Sequence, residues 1–469
     1  MIQQKSTPNN PLFFKSVFNF LDLASLMSKL GFSKRSGVSA CEVFVVSFSA
    51  IMYGYKNLYQ FFASPIHQDG RVSRDSVYRM LKKPDYNWAL LLKTIVVKFI
   101  LFITGEVNKP AQRCCLVVDD TCIERCKSQK SELVAKIWDH VDHRFIRGYQ
   151  NLVLGWTDGF SFFPLIARLI SSSVKENRYF EASLKVDGRT KAGRLRKDAV
   201  TKKPDLVLRM CRDALAAGIK AEYVLFDSWF FSQNMLAQLH TLGLRVISLV
   251  KTNLKFSLQR EGKALTQRQI QQELKHRRAY KRKGILGETI AYFYGIKVKL
   301  VLVRNQANPA KLITIVSTDL ALSAEDIVQT YICRWKIETN FFAQKQYFGL
   351  DSECQAHNFD TINAFMQLSN IRYAIAEFAR RLEQDPRTMG ELFRDTREIL
   401  HALPFVDAIN RLMEAVNKNL REQLLAANVI IPGKEDKVME IIDNTLSSWL
   451  NGTIRYIRDK INTLQLSLT

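Results

Sequence analysis

The chain is 469 residues long, 47% apolar and 24% charged. This is globular composition, long enough for roughly two to four units around at least one sizeable core. Lysine and arginine number 68 against 45 acids, a formal charge of +23. That excess attracts polyanions, because each cation set against a phosphate releases condensed counterions; nucleic acid leads as the partner and an anionic membrane surface comes second.

The segment Met1–Phe20 lacks the basic region, apolar run and small-residue cleavage site of a secretory signal. Residues up to about 110 read as helical, with apolar positions at helical spacing in Cys41–Phe62 and Trp88–Ile103. The most apolar stretch, Ala89–Thr104, is interrupted by Lys93 and Lys98 and is shorter than the roughly 20 residues of a membrane span, so it is expected to be a buried helix with no membrane partner. Between these helices, Arg71–Lys83 has Ser73 as an N-cap, Val77, Met80 and Leu81 to pack inward, and Arg74, Arg79, Lys82 and Lys83 to point outward. Two readings stand for it, a DNA-recognition helix and a solvated surface helix.

From Cys114 the period changes. CCLVVDD is a short apolar run ending in acids, and Phe145–Leu154 and Phe160–Ile170 flank an Asp158-Gly159 pair suited to closing a hairpin. Cys122, Cys126, His140 and His143 come in zinc-finger order, but only two residues separate the histidines, against the usual spacing of about three to five. Asp139 and Asp142, in WDHVDH, are metal-capable, with a loop or a hydrogen-bonding role preferred. The eight cysteines form no regular framework, which points to reduced thiols and a cytoplasmic setting.

Lys185–Lys203, with Gly188 and Gly193 among its basic residues, is expected to be an exposed, flexible loop that offers Arg194, Arg196 and Lys197 to DNA. Beyond Pro204, helix DLVLRMCRDALAAGIK, strand EYVLFD, helix SQNMLAQLHTLG and strand RVISLVK alternate as in an α/β layer, placing Asp120 and Asp227 at strand ends. Residues 253–310 combine a polar helix with alternating strand-like runs and the basic run Lys275–Lys283, whose Arg277, Arg278 and Lys281 are further candidates for DNA contact. This segment reads as an insertion.

Ser323 and Asp326 open a helix expected to run to about Gly349. At about 100° per residue, Arg334, Glu338 and Lys345 fall about −60°, −20° and −40° from Tyr331, so the four share one face along about 21 Å of axis. Geometry alone leaves open an ordinary amphipathic helix with charge pairs one turn apart. The spacing is more specific. Tyr331, Arg334, Glu338 and Lys345 match without a gap the Y-(2)-R-(3)-E-(6)-K signature of the insertion sequence four family of transposases, which this chain resembles over roughly residues 114–375. Trp335 and Ile337 fit the RWxIE wording of the family, and VVDDT and LFDSWF resemble its two aspartate-bearing strands.

The resemblance implies an α/β fold with an RNase H-like core, a mixed sheet with flanking helices, interrupted by a strand-rich insertion, and the helical spacing on either side brackets it with helical regions. The expected organisation is a helical DNA-binding region over 1–110, core over 111–252, basic insertion over 253–310, core again over 311–380, and a helical region over 381–469 that pairs subunits or covers the core. It also implies two divalent ions, Mg2+ or alternatively Mn2+, held by Asp120, Asp227 and Glu338. Asp120 is preferred because Thr121 follows it, with Asp119 as the alternative. Tyr331, Arg334 and Lys345 are expected to position DNA. The implied activity is endonucleolytic cut-and-paste transposition: terminal inverted repeats are cleaved and their 3′-hydroxyls joined to target DNA by a homodimer in the bacterial cytoplasm, close to the nucleoid. A silent DNA-binding derivative and a host nuclease of the same fold are the competing readings.

Overall fold

The computed structural model describes residues 13–64, 71–106, 113–126, 130–275, 284–304 and 312–401. Arg277, Arg278, Lys281 and the helical patterns beyond 401 lie outside the described residues. The chain divides into two compact units, Met1–Phe393 and Arg394–Thr469. The first contains every strand among the described residues.

The N-terminal part of this first unit is helical: α1 (Phe13–Leu21), α2 (Leu23–Lys29), α3 (Ala40–Met52), α4 (Leu58–Phe62), α5 (Arg74–Lys82) and α6 (Trp88–Glu106). Ser39 and Glu42 close a reciprocal capping box at the start of α3. The Ser73 hydroxyl accepts from the Ser76 amide to start α5, whose Val77, Met80 and Leu81 are buried. The length and apolarity of α6 would suffice to cross a membrane, yet it packs on the sheet, and its Leu92, Ile95, Val96 and Phe99 are fully enclosed.

The strands are β1 (Cys115–Glu124), β2 (Ala135–Asp139), β3 (Arg144–Thr157), β4 (Phe162–Ile170), β5 (Tyr223–Phe226), β6 (Arg245–Leu249), β7 (Lys255–Ser257), β8 (Ala264–Thr266), β9 (Ile285–Phe293), β10 (Ile296–Arg304) and β11 (Leu312–Ser317). They form one sheet in the order β2-β3-β1-β5-β6-β11-β10-β9-β7-β8, with β4 also on β3. β1, β3 and β4 are antiparallel, while β5 and β6 run parallel to β1. The strands of residues 255–304 extend this same sheet, because β10 pairs with β11 and β11 with β6. The Asp158-Gly159 pair turns β3 into β4, with Asp158 accepting from the Phe160 and Ser161 amides and Gly159 at φ +86°.

Further helices are α7 (Lys191–Ala199), α8 (Lys203–Ala216), α9 (Gln233–Thr241), α10 (Gln267–Lys275), α11 (Ala324–Ile332), α12 (Trp335–Gln346) and α13 (Phe359–Leu382). α13 is the central support, buried along most of its length and packed against α6, β4, α5 and α12. Its Arg372 is wholly enclosed, pairs with the equally enclosed Glu353, and donates to the carbonyls of Phe48, Ser47 and Phe348. That array ties the N-terminal helices to the core.

Two expectations need correction. Lys185–Lys203 is not a flexible loop throughout: the Thr190 hydroxyl caps α7, and Gly193 packs so closely that an added Cβ would lie 2.3 Å from the Asp187 carbonyl oxygen. The helix expected over 323–349 is broken between α11 and α12. Cys333, Arg334, Lys336 and Ile337 each donate to the residue three before, a tight turn in place of α-helical bonding.

Candidate metal centre

β1 and β5 run parallel with Cys115, Leu116 and Val117 opposite Tyr223, Val224 and Leu225. Carried two residues further, that register sets Asp119 beside Asp227, and matched positions on neighbouring parallel strands share a face. β5 ends at Phe226, whereas β1 continues to Glu124. Asp119 therefore lies at the level where the parallel neighbour of β1 stops, and Asp120, expected at a strand end, lies inside β1.

Asp120 alternates to the other face. It accepts a 3.3 Å hydrogen bond from Gln150 Nε2 and touches the Lys203 ammonium. Asp119 turns to the face reached by Arg334, whose Nη1 lies 3.1 Å from its Oδ2. The same guanidinium places Nη2 2.5 Å from Glu338 Oε1. Arg334 thus bridges Asp119 on β1 to Glu338 on α12. Asp227 Oδ1 accepts from the Trp229 amide at 2.9 Å, which fixes its carboxylate at the turn after β5.

The electrostatics follow from burial. The Asp119 carboxyl is pushed up to about 7, first by desolvation and then by the charge of Asp120, with Asp227 adding to the rise and Arg334 opposing it. Tyr331 is 8% exposed, its hydroxyl is pushed up to about 12 mainly by burial, and its ring lies 5.7 Å from the Arg334 guanidinium carbon. Tyr331 Oη and Arg334 Nε are both buried without a hydrogen-bond partner. Lys345 Nζ lies 3.4 Å from Asp351 Oδ2, and the other oxygen of that carboxylate is buried and unpartnered.

Tyr331, Arg334, Glu338, Asp119 and Asp227 are therefore brought to one neighbourhood, with Lys345 farther along α12. Tyr331 and Arg334 are buried beside the carboxylates, and not exposed on one open helix face. Arg196 is a second correction. It is 5% exposed and binds Glu132 at 2.7 Å and Asp360 at 3.0 Å, so its charge is paired within the fold and does not stand on an exposed loop as expected. Arg194 and Lys197 are exposed on α7. Asp139 accepts from the Val141 and Asp142 amides, and Asp142 pairs with Arg144.

Among the described residues, no three His, Cys, Asp or Glu side chains stand close enough together to hold a metal ion as they are placed. The donor set nevertheless fits a divalent cation. It is all oxygen, which suits hard ions. The geometry points the same way, since Asp119 Oδ2 and Glu338 Oε1 both meet the one Arg334 guanidinium, which draws the two carboxylates toward each other. Sequence reasoning missed Lys203, Trp229 and Asp351. Trp229 carried a signal, two residues beyond Asp227 in LFDSWF, whereas the other two are joined to the site only by folding.

A family model described as DDE superfamily endonuclease matches residues 50–287, a span that contains Asp119, Asp120 and Asp227 and ends before Glu338. No curated protein matches the chain. Among solved structures, the Drosophila P element transposase strand transfer complex is similar at 12% identity and TM-score 0.19, a likeness too slight to carry an argument. It covers 56% of this chain and 55% of that one, so the chain spans about half the length of the solved chain it matches. The family match, which extends over just over half of the 469 residues, carries the assignment: the protein belongs to the DDE superfamily of endonucleases.

Proposed function

We propose that this endonuclease is a transposase of the insertion sequence four type, cutting DNA at the ends of an element and joining the freed 3′-hydroxyls to target DNA. The observation that carries the reading is the meeting of the two aspartate strands with the signature helix: Asp119 in register with Asp227, and Arg334 tying Asp119 to Glu338. The mixed sheet with its parallel β1-β5-β6 core and flanking helices is consistent with an RNase H-like catalytic core.

Enzymes of this superfamily use divalent metals. Here Asp119, Asp227 and Glu338 would hold them, with Asp119 taking the place first expected of Asp120, because Asp119 shares a face with Asp227 and Asp120 does not. Magnesium suits the all-carboxylate set. Bound there, a pair of such ions supplies activation of the attacking oxygen and stabilisation of the leaving one.

The chain's own residues do the rest. Asp227 is oriented by the Trp229 amide, and Glu338 and Asp119 are held at a common spacing by Arg334. Tyr331 packs its ring 5.7 Å from that guanidinium. Lys345 is poised by Asp351 to meet a phosphate. In the reaction, water attacks the phosphodiester at the element end and the P–O3′ bond breaks, leaving a 3′-hydroxyl. That hydroxyl attacks a target phosphorus in turn, forming a P–O3′ bond to the element end as the target strand's own P–O3′ bond breaks and frees the target 3′-hydroxyl, and a homodimer holding two ends would perform this in concert.

The test is cleavage and strand transfer with a labelled duplex taken from the DNA bordering the coding sequence, in Mg2+. Wild type is expected to nick and join, and Asp119→Asn, Asp227→Asn and Glu338→Gln each to lose both steps. Variants that cut as well as wild type would refute the site. Cutting without joined products would make the protein a nuclease.

A further inference from the structure

A cleft of about 430 Å3 opens on the Asp120 side of β1, lined in part by Lys136, Trp138, Gln150, Lys202, Lys203 and Trp229. It adjoins the candidate centre, because Trp229, which forms its wall, donates its amide to Asp227. Trp229 is 45% exposed and Trp138 38%. The Lys203 ammonium lies 5.0 Å from the centre of the Trp229 ring and that of Lys251 5.9 Å from it.

The charge in this cleft is one-sided. Lys202 and Lys203 stand at the N-terminus of α8, the positive end of the helix dipole, with no side chain capping it. Asp205 lies in the first turn but does not line the cleft. Asp120 is the acid that meets Lys203, and Gln150 steadies Asp120 from the neighbouring strand. Placing two lysines on a positive helix end is unfavourable unless an anion is to be received. Lysines in a groove follow a phosphate backbone and the flat indoles beside them offer stacking surfaces to bases, a combination that suits a nucleic-acid strand better than a compact anion.

We propose that this cleft binds the phosphodiester backbone of DNA next to the cleaved bond, and that Asp120 is a positioning residue that holds Lys203 there. The proposal rests on the reading of the protein as a DNA-cutting enzyme and deepens it. It gives Asp120 a role of its own, distinct from that of Asp119. One carboxylate serves the metal centre from one face of β1, and its neighbour orders a phosphate contact on the other.

The experiment uses the full chain and the bordering duplex in EDTA, with a scrambled duplex beside it. Lysine acetylation is mapped by mass spectrometry with and without DNA. Lys136, Lys202, Lys203 and Lys251 are expected to be protected, and the slope of log affinity against log salt is expected to become shallower by about 0.9 for each lysine lost in Lys203→Gln and Lys136→Gln. Lys203→Arg should keep the wild-type slope. Asp120→Asn should retain Mn2+ binding measured by calorimetry, where Asp119→Asn loses it. Unprotected cleft lysines, an unchanged slope in the glutamine variants, or loss of Mn2+ binding in Asp120→Asn would each overturn the proposal. Equal affinity for bordering and scrambled DNA, with no cutting in Mg2+, would instead refute the transposase reading, while protection of the cleft lysines is read separately on either duplex.

Discussion

Arg196 separates a structural cation from a DNA-binding one. Its guanidinium, 5% exposed, makes hydrogen bonds to Glu132 at 2.7 and 3.2 Å and to Asp360 at 3.0 and 3.1 Å, and it lies 5.1 Å from the Phe359 ring centre. Arg196→Met keeps most of the volume and removes the charge. Glu132 and Asp360, side chains 22% and 11% exposed, are then left without their cation. Breaking one side of a buried pair typically costs about 3–5 kcal/mol. Partial exposure of Glu132 places the expected loss near the lower end of that range, about 3 kcal/mol. The assays are a urea unfolding midpoint and the salt dependence of DNA binding, measured on the same preparation. The midpoint should fall markedly while the salt slope stays at the wild-type value. An unchanged midpoint with a slope shallower by about 0.9 would refute the reasoning and restore Arg196 as a phosphate contact.

Asp119→Asn should change the pH dependence of stability in the absence of metal. Because the folded carboxyl is raised from 3.8 to about 7, the native state keeps a proton that the unfolded chain releases between these values, so wild-type stability falls as pH rises through that window. The stability of Asp119→Asn relative to wild type should therefore increase between pH 4 and pH 8, by at most roughly 4 kcal/mol, in paired urea unfolding curves; a flat difference would contradict the raised carboxyl. Gly193→Ala should destabilise the start of α7, since its Cβ would press on the Asp187 carbonyl and the Gly188 backbone, whereas the nearby Gly188→Ala, which meets only the end of the flexible Lys197 side chain, should be milder. Hydrogen exchange over 187–199 would distinguish the two, and equal protection would count against close packing at Gly193.

Much of the local structure was legible before folding was considered. Ser73 and Ser323 are N-caps because a short hydroxyl ahead of an amphipathic run satisfies a free amide, and Asp158-Gly159 turns a hairpin because glycine accepts a positive φ. The basic run around α7 was misread for a matching reason. Composition counts Arg194, Arg196 and Lys197 alike, while only the partners Glu132 and Asp360, far off in sequence, decide that the middle one is buried.

The sequence by itself determined the strand and helix alternation and the chemical types at the centre: two aspartates, a glutamate, and an arginine, tyrosine and lysine at set spacing. The alternation depends on periodicity, which is local, and the residue types at the centre are those implied by the resemblance to the Y-(2)-R-(3)-E-(6)-K signature. Tertiary structure alone decided which of two adjacent aspartates faces Asp227, because that choice rests on the register of β1 against β5, set by pairing across more than a hundred residues. It also decided that Arg334 lies between two carboxylates rather than in solvent. A tight turn at Cys333–Arg334 and the packing of α12 on the sheet direct that side chain inward, and neither can be read from a helical repeat.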